Sequence, residues 1–492
     1  MTMNQRIIVF FLFLLSTGLL QSQPIRLHPE NPHYFLYKDA PLVLVTSAEH
    51  YGAVLNTDFD FVKYLQTLAD EGMNYTRIFT GSYVEIPGSF GIENNTLAPA
   101  TGSFIAPWKR TDENGLYENE KKFDLSEWNQ DYFKRLNEFI SLAEELDIIV
   151  EVTFFCSTYQ DTYWERNPFN PGNNINNLPE NLDRKKSNTP GNGNLFKFQK
   201  ELVEKVVTEL NEFDNVFYEI QNEPWADNGV KVMRTLRTLN PDTNEGGWYM
   251  WAEKGSDASL EWQREIAKNV IDTENNLPKK HLIAQNYTNF KHSLAEVDEN
   301  IDILNFHYAW PEAVWMNYAW NRPVGFDESG FAGSDDETYL RQAWQFMLAG
   351  GAVFNNLDYS FFVGEEDGTG RNNAPGGGST ELRKQLKFMR QFIESFDYVK
   401  MQPDFDVVKH SPGMEWQAIS EPGEQYAVVF NGVPAEWIKL QLPKGRFNYE
   451  FMSPYSGLKL KSGFVTVGKN EVTKMKLPGF ENMVVLKIEK RK

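Results

Sequence analysis

Between residues 41 and 360 one alternation recurs: a short β-branched, apolar run, then an amphipathic helical pattern. The runs are PLVLVTSAEH (41–50), MNYTRIF (73–79), DIIVEVTFF (147–155), NVFYEIQ (215–221), HLIAQN (281–286), DILNFH (302–307), PVGFDES (323–329) and GAVFNNLDYS (351–360). Between them Phe61, Leu65 and Leu68, then Phe133, Leu136, Ile140 and Ala143, then Leu202, Val206, Val207 and Leu210 repeat at helical spacing. Further helical patterns fall near 258–274, 336–349 and 379–396, with a short helical turn before the sixth run. Strands apolar on both faces need cover on both, which implies a parallel sheet wrapped by helices. Eight strand–helix units predict an α/β fold closed as a (β/α)8 TIM barrel over residues 24–398.

After residue 400 the helical period stops. Short alternating runs such as YAVVFNG (426–432), IKLQL (438–442), FNYEFM (447–452) and MVVLKIE (483–489), separated by Pro and Gly, predict a small antiparallel β-sandwich over 399–492. The amino terminus places Arg6 before an apolar run from Ile7 to Leu20 and then small and polar residues. This is the layout of a cleaved secretory signal at residues 1–23; the alternative, a membrane anchor, needs about 20 apolar residues. The expected location is therefore secreted or periplasmic, with no stable membrane insertion.

A single cysteine, Cys156, rules out an intramolecular disulfide, and no Cys/His cluster has zinc-ligand spacing, so neither metal nor cofactor is expected. The formal charge of −20 argues against nucleic acid and anionic membranes as partners and favours an uncharged substrate. Thirteen tryptophans, many in loop-like segments, suit sugar rings or simply a core. Oligomeric state is not legible.

In a barrel the carboxyl ends of all strands open into one mouth, so acidic residues there are candidate chemistry. The segments following the strands (80–124, 156–194, 225–257, 361–378) are long, as functional loops are; 167–194 and 364–378 read as lids or as disordered insertions. Glu223 follows the fourth strand in Phe-Tyr-Glu-Ile-Gln-Asn-Glu-Pro-Trp (217–225), and Glu328 follows the seventh in Phe-Asp-Glu-Ser-Gly (326–330). Carboxylates from opposite sides of the mouth face each other across a bound molecule. That pairing is what glycosidic cleavage needs: one carboxyl to protonate the leaving oxygen, one carboxylate to attack or stabilise the anomeric carbon. A separation of about 5 Å predicts retention of configuration and roughly 6.5 Å or more predicts inversion.

Asn222-Glu223-Pro224 together with Glu328 resembles glycoside hydrolase clan A, and most closely family 5, the cellulase-type retaining hydrolases. The resemblance spans about residues 25–395. It implies Glu223 as acid/base, Glu328 as nucleophile and Asn222 as the contact to the sugar 2-hydroxyl. It further implies Arg77 as the arginine that hydrogen-bonds the nucleophile, and His307 and Tyr308 as the pair at the cleavage subsite. The sequence departs from the family at Phe155-Cys156-Ser157, where a histidine is usual, and at Leu357-Asp358-Tyr359, where a tryptophan platform is usual. Tyr449-Glu450-Phe451-Met452-Ser453-Pro454-Tyr455-Ser456-Gly457 resembles the closing motif of a β-sandwich that follows the barrels of bacterial glycosidases and is sometimes labelled collagen-binding.

Arg77 beside Glu328 would keep that carboxylate ionised, or serve as a structural salt bridge. His307 orients substrate or Glu328, or is structural. Glu49 and His50, with Tyr51, end the first strand and are expected to line the mouth. Trp225, Trp310 and Tyr308 are candidate sugar platforms, and Asp358 a candidate for a sugar hydroxyl. The expected activity is hydrolysis of a β-linked polysaccharide or oligosaccharide. A carbohydrate-binding barrel and a transglycosylase are the alternatives; a metal-dependent hydrolase is disfavoured by the lack of clustered His and Asp at strand ends.

Overall fold

The computed structural model describes residues 23–235, 248–469 and 471–491. The signal expected at 1–23 therefore lies, but for Gln23, outside the described residues. Among those residues no helix is long and apolar enough to cross a membrane.

The eight expected strands form at Leu44–Ala48 (β1), Tyr75–Phe79 (β2), Ile149–Cys156 (β3), Val216–Asn222 (β4), Ile283–Asn289 (β5), Ile303–His307 (β6), Val324–Glu328 (β7) and Val353–Leu357 (β8). Every residue of all eight is buried, as strands covered on both faces require. They pair in parallel in the order β1-β8-β7-β6-β5-β4-β3-β2. At the β1/β2 seam a side chain substitutes for part of the ladder. The Asn74 amide accepts from the Val45 N–H at 2.9 Å and donates to the Val43 carbonyl at 2.8 Å, so the sheet closes as a barrel.

Seven helices cover it: Phe61–Asp70 (α1), Gln130–Glu145 (α2), Leu195–Leu210 (α3), Asp257–Glu274 (α4), Pro311–Asn317 (α5), Asp336–Met347 (α6) and Thr380–Glu394 (α7). Their starts are written in the sequence. Asp60, Asn129, Ser256, Asp335 and Ser379 each accept a backbone N–H of the first turn that would otherwise be unpaired. The eight complete units expected reduce to seven, because residues 290–302 between β5 and β6 hold no helix. The Asn317 side chain instead fixes that segment, accepting from Leu294 N at 2.9 Å and donating to the His292 carbonyl at 2.8 Å.

Beyond the barrel, six antiparallel strands, among them Met414–Glu421, Gln425–Gly432 and Met483–Lys490, face a three-stranded sheet of Val408–His410, Trp437–Gln441 and Val472–Lys476. Period-two alternation divides one strand between two cores. Tyr426, Val428 and Phe430 enter the sandwich interior, while Ala427 and Val429 pack into the barrel's own core. Gln425 also bonds the Asp397 backbone in both directions, at 3.1 and 3.0 Å. The sandwich is thereby seated on the barrel.

The Asn-rich loop expected to be a lid or an insertion is a packed wall. Asn170, Asn173, Asn174 and Asn192 are buried and donate their side-chain amides to carbonyls within the loop, at 2.8 to 3.1 Å. Buried backbone there is satisfied by asparagine in place of secondary structure.

Candidate active site

At the mouth the chain turns sharply off several strands. Tyr51, Glu223, Phe290, Tyr308 and Phe331 all adopt positive φ, between 46° and 60°, each within three residues of the end of β1, β4, β5, β6 or β7. Non-glycine residues in this region are strained and persist where their surroundings hold them, commonly at functional sites. Glu223 is held on both sides: its N–H donates to Asn286 Oδ1 at 3.0 Å, and its carbonyl accepts from the Ser157 hydroxyl at 2.7 Å.

Glu223 and Glu328 converge as the strand positions predict. One oxygen of each, with a ring nitrogen of His307, lie within 4.8 Å of one another. His307 sits between them, its Nδ1 2.9 Å from Glu223 Oε1 and 3.4 Å from Glu328 Oε1, and its Nε2 3.4 Å from Asp327 Oδ2. Burial opposes charge on His307, but the facing Glu328 and Asp327 carboxylates raise its pKa well above the ordinary imidazole range.

Glu328 is clamped by hydroxyls: Tyr308 donates to Oε1 at 2.8 Å and Tyr51 to Oε2 at 3.1 Å. Burial would push its pKa up. The His307 charge, the Arg77 charge and the Tyr308 hydrogen bond outweigh that and hold the carboxyl well below its ordinary range. Arg77 is wholly buried, with Nη1 3.5 Å from Glu328 Oε2, an ion pair rather than an aligned hydrogen bond. Its closer partners are Glu219 and Asn222, the latter accepting at 2.9 Å, so Arg77 supports the barrel interior as well as the mouth. Below it Glu151, Glu219 and Asp327 form a buried acidic group. Burial lifts Glu219 to about 7 despite Arg77, and lifts Glu151 well above the carboxylate range with help from the Glu219 charge.

Glu223 has a partner on an irregular loop that no motif or period marks. Tyr159, in the loop after β3, donates to Glu223 Oε2 at 2.8 Å and accepts from Asn222 Nδ2 at 2.9 Å. Cys156, at the position where a histidine is usual, lies 3.5 Å from Asn222 Nδ2. Tyr83, Glu85, Phe90 and Phe331 also line the pocket; all lie on irregular segments, where no period marks them.

Other expected contacts fall elsewhere. Glu49 does not line the mouth: it is fully buried, and its carboxylate accepts from the Gly52 and Ala53 N–H groups, both at 3.0 Å, and from the Thr96 hydroxyl at 2.5 Å. Asp358 is not free for a sugar hydroxyl either. It is fully buried and takes Arg383 at 2.5 Å, the Ser47 hydroxyl at 2.7 Å and the Ser360 N–H and hydroxyl at 3.0 and 2.5 Å. Trp225 is buried with its ring edge-on to His307 at 5.6 Å, and so backs the site without forming an open platform. Trp310 lies under the Lys291 ammonium, 4.5 Å from its ring, outside the pocket lining. His50 does line the pocket. The exposed aromatic surface beside the site is Trp248, stacked on Phe290 at 5.4 Å and edge-on to Tyr308 at 5.0 Å.

No family model matches the sequence, and no curated protein is similar to it. Solved structures are similar in shape. A glycoside hydrolase of family 5 from Bacteroides vulgatus superposes with a TM-score of 0.61 at 13% identity, covering 95% of this chain and 94% of that one. A second, provisionally named glycoside hydrolase from the same organism gives 0.65 at 12% identity, covering 95% and 82%. A third structure named glycoside hydrolase gives 0.56 at 12% identity, covering 95% and 97%. The chain thus shares the fold of these solved glycoside hydrolases, which in this chain is a (β/α)8 barrel carrying a carboxy-terminal β-sandwich.

Proposed function

We propose that this protein is a secreted O-glycoside hydrolase that cleaves a β-linked polysaccharide or oligosaccharide with retention of configuration. The observation that carries the proposal is the convergence of Glu223 and Glu328 on one pocket with an oxygen of each within 4.8 Å of the other, which favours the close carboxyl pairing of retaining enzymes. The fold shared with glycoside hydrolases supports the same reading.

In the first step a Glu328 oxygen attacks the anomeric carbon. The bond to the glycosidic oxygen breaks, and that oxygen keeps the electron pair and takes a proton from Glu223, leaving as a hydroxyl. The sugar is now an ester of Glu328. In the second step Glu223 removes a proton from water, whose oxygen attacks the same carbon while the ester bond returns its pair to Glu328. Arg77, His307, Tyr51 and Tyr308 favour the ionised nucleophile, and Asn222, fixed by Arg77 and Tyr159, presents its amide to the 2-hydroxyl. Export is proposed from the Arg6-led apolar run.

The test is product release from a panel of β-linked polysaccharides, read by mass spectrometry, for the parent and Glu328→Gln. Products from the parent alone support the assignment. Equal release from both proteins would remove Glu328 from the mechanism. Products longer than the substrate would show transfer to a sugar acceptor in place of water.

A further inference from the structure

The pocket above the carboxylates has one wall made by His50 and Tyr51, after β1, and Tyr83, Glu85, Phe90 and Leu97, after β2. Phe90, from the loop after β2, and Phe331, after β7, meet over it with ring centroids 5.9 Å apart, and Phe90 also abuts Tyr159 at 4.9 Å.

That wall carries polar groups the cleavage steps do not use. Glu85 is 1% exposed yet lines the pocket. Its Oε1 accepts from the Tyr83 hydroxyl at 3.1 Å and faces His50 Nε2 at 3.4 Å, and its Oε2 accepts from Asn95 Nδ2 at 2.6 Å. A carboxylate has about four acceptor sites, so capacity is left over. His50 Nδ1 and the Tyr359 hydroxyl, buried on the same wall with rings 5.8 Å apart, have no hydrogen-bond partner among the described residues. Unsatisfied buried polar atoms are costly, and two of them beside the spare acceptor capacity of Glu85 fit a ligand rich in hydroxyls.

We propose, resting on the hydrolase reading above, that Glu85 with His50 is the specificity-determining wall for one neutral sugar bound beside the catalytic carboxylates. The Glu85 carboxylate accepts ring hydroxyl hydrogens, while His50 Nδ1 and the Tyr359 hydroxyl complete the cradle. The same negative charge repels a uronate or sulfate at this wall.

Chromogenic 4-nitrophenyl β-glycosides of neutral hexoses and pentoses select the sugar. On the matching glycoside Glu85→Gln should lower kcat/KM by about 100-fold. Among the 3-, 4- and 6-deoxy glycosides, one should cost the parent a similar factor and Glu85→Gln almost nothing, because partners in contact are not additive. Penalties that add fully at every position would overturn the proposal and leave hydrolysis standing. Should Glu85→Gln not fold, the parent's deoxy series decides: penalties under about 5-fold at all three positions contradict a hydroxyl-binding wall. Parent activity undiminished in Glu328→Gln would instead overturn the hydrolase reading beneath it.

Discussion

Two arginines in this barrel are buried among carboxylates, and they do different things. Arg383, on α7, pairs with Asp358 and Glu71, and every oxygen of Asp358 is spoken for by Arg383, Ser47 or Ser360. Arg77 pairs with Glu219, Asp327 and Glu328, and the last of these borders an open pocket with His307 and two tyrosine hydroxyls around it. Buried charge is common to both regions. What separates them is a cavity with hydrogen-bonding capacity left over, which marks the Arg77 region as chemical and the Arg383 region as a clamp between α7 and the β8 end.

Substitutions can sharpen or break that contrast. The largest effect is expected at Glu328→Gln, with kcat reduced on the order of 10⁴-fold on a β-glycoside and little change in melting temperature, since removing a reacting group costs the transition state and not the fold. Asp358→Asn should show the reverse pattern. It leaves Arg383 buried with one carboxylate fewer and should lower unfolding free energy by about 3 kcal/mol, measured by urea denaturation, with per-molecule activity of the folded fraction retained. Gly378 belongs to the same clamp: at φ +130° a Cβ would fall 2.1 Å from Asp358 Oδ1, so Gly378→Ala should destabilise as well.

Tyr308→Phe is expected to act more mildly, reducing kcat/KM about 10-fold. Its informative readout is the pH profile. The Tyr308 hydroxyl favours the ionised Glu328, so its loss raises that pKa and moves the acid limb of kcat/KM to higher pH. An unmoved limb would separate Tyr308 from the nucleophile.

The smallest effect tests burial without catalysis. Asp227, in the short helix Trp225–Asn228, has its pKa lifted to about 7 by burial, against hydrogen bonds such as that from Thr158 N at 3.0 Å. The folded state therefore holds this proton to higher pH than the unfolded chain does. Its contribution to stability is complete below the ordinary aspartate pKa of about 4 and is lost as pH rises through about 7. Asp227→Asn should accordingly raise the melting temperature at pH 8 relative to the parent and change it little at pH 4.

The barrel was legible because eight runs rich in apolar and β-branched residues alternate with helical patterns, a signal that needs no tertiary information. The convergence of Glu223 and Glu328 was legible for a related reason: both sit at strand ends, which the topology gathers. Strand-end position did not separate Glu49 and Asp358 from Glu328, since a carboxylate at a strand end can turn into the mouth or back onto loop amides and helices. The helix missing after β5 was hidden because 290–302 is short enough to be held by one asparagine. Glu85 and Tyr159 were not legible at all. They lie within loops after β2 and β3 whose path is set by buried polar side chains, and such packing leaves no period in the sequence.

The most direct test of the account is trapping with 2,4-dinitrophenyl 2-deoxy-2-fluoro-β-glycosides of neutral sugars, followed by peptide mass spectrometry. The account predicts a single glycosyl increment on the peptide containing Glu328, with activity lost in step. An increment on Glu223, or turnover of β-glycosides to products of inverted configuration, would contradict it.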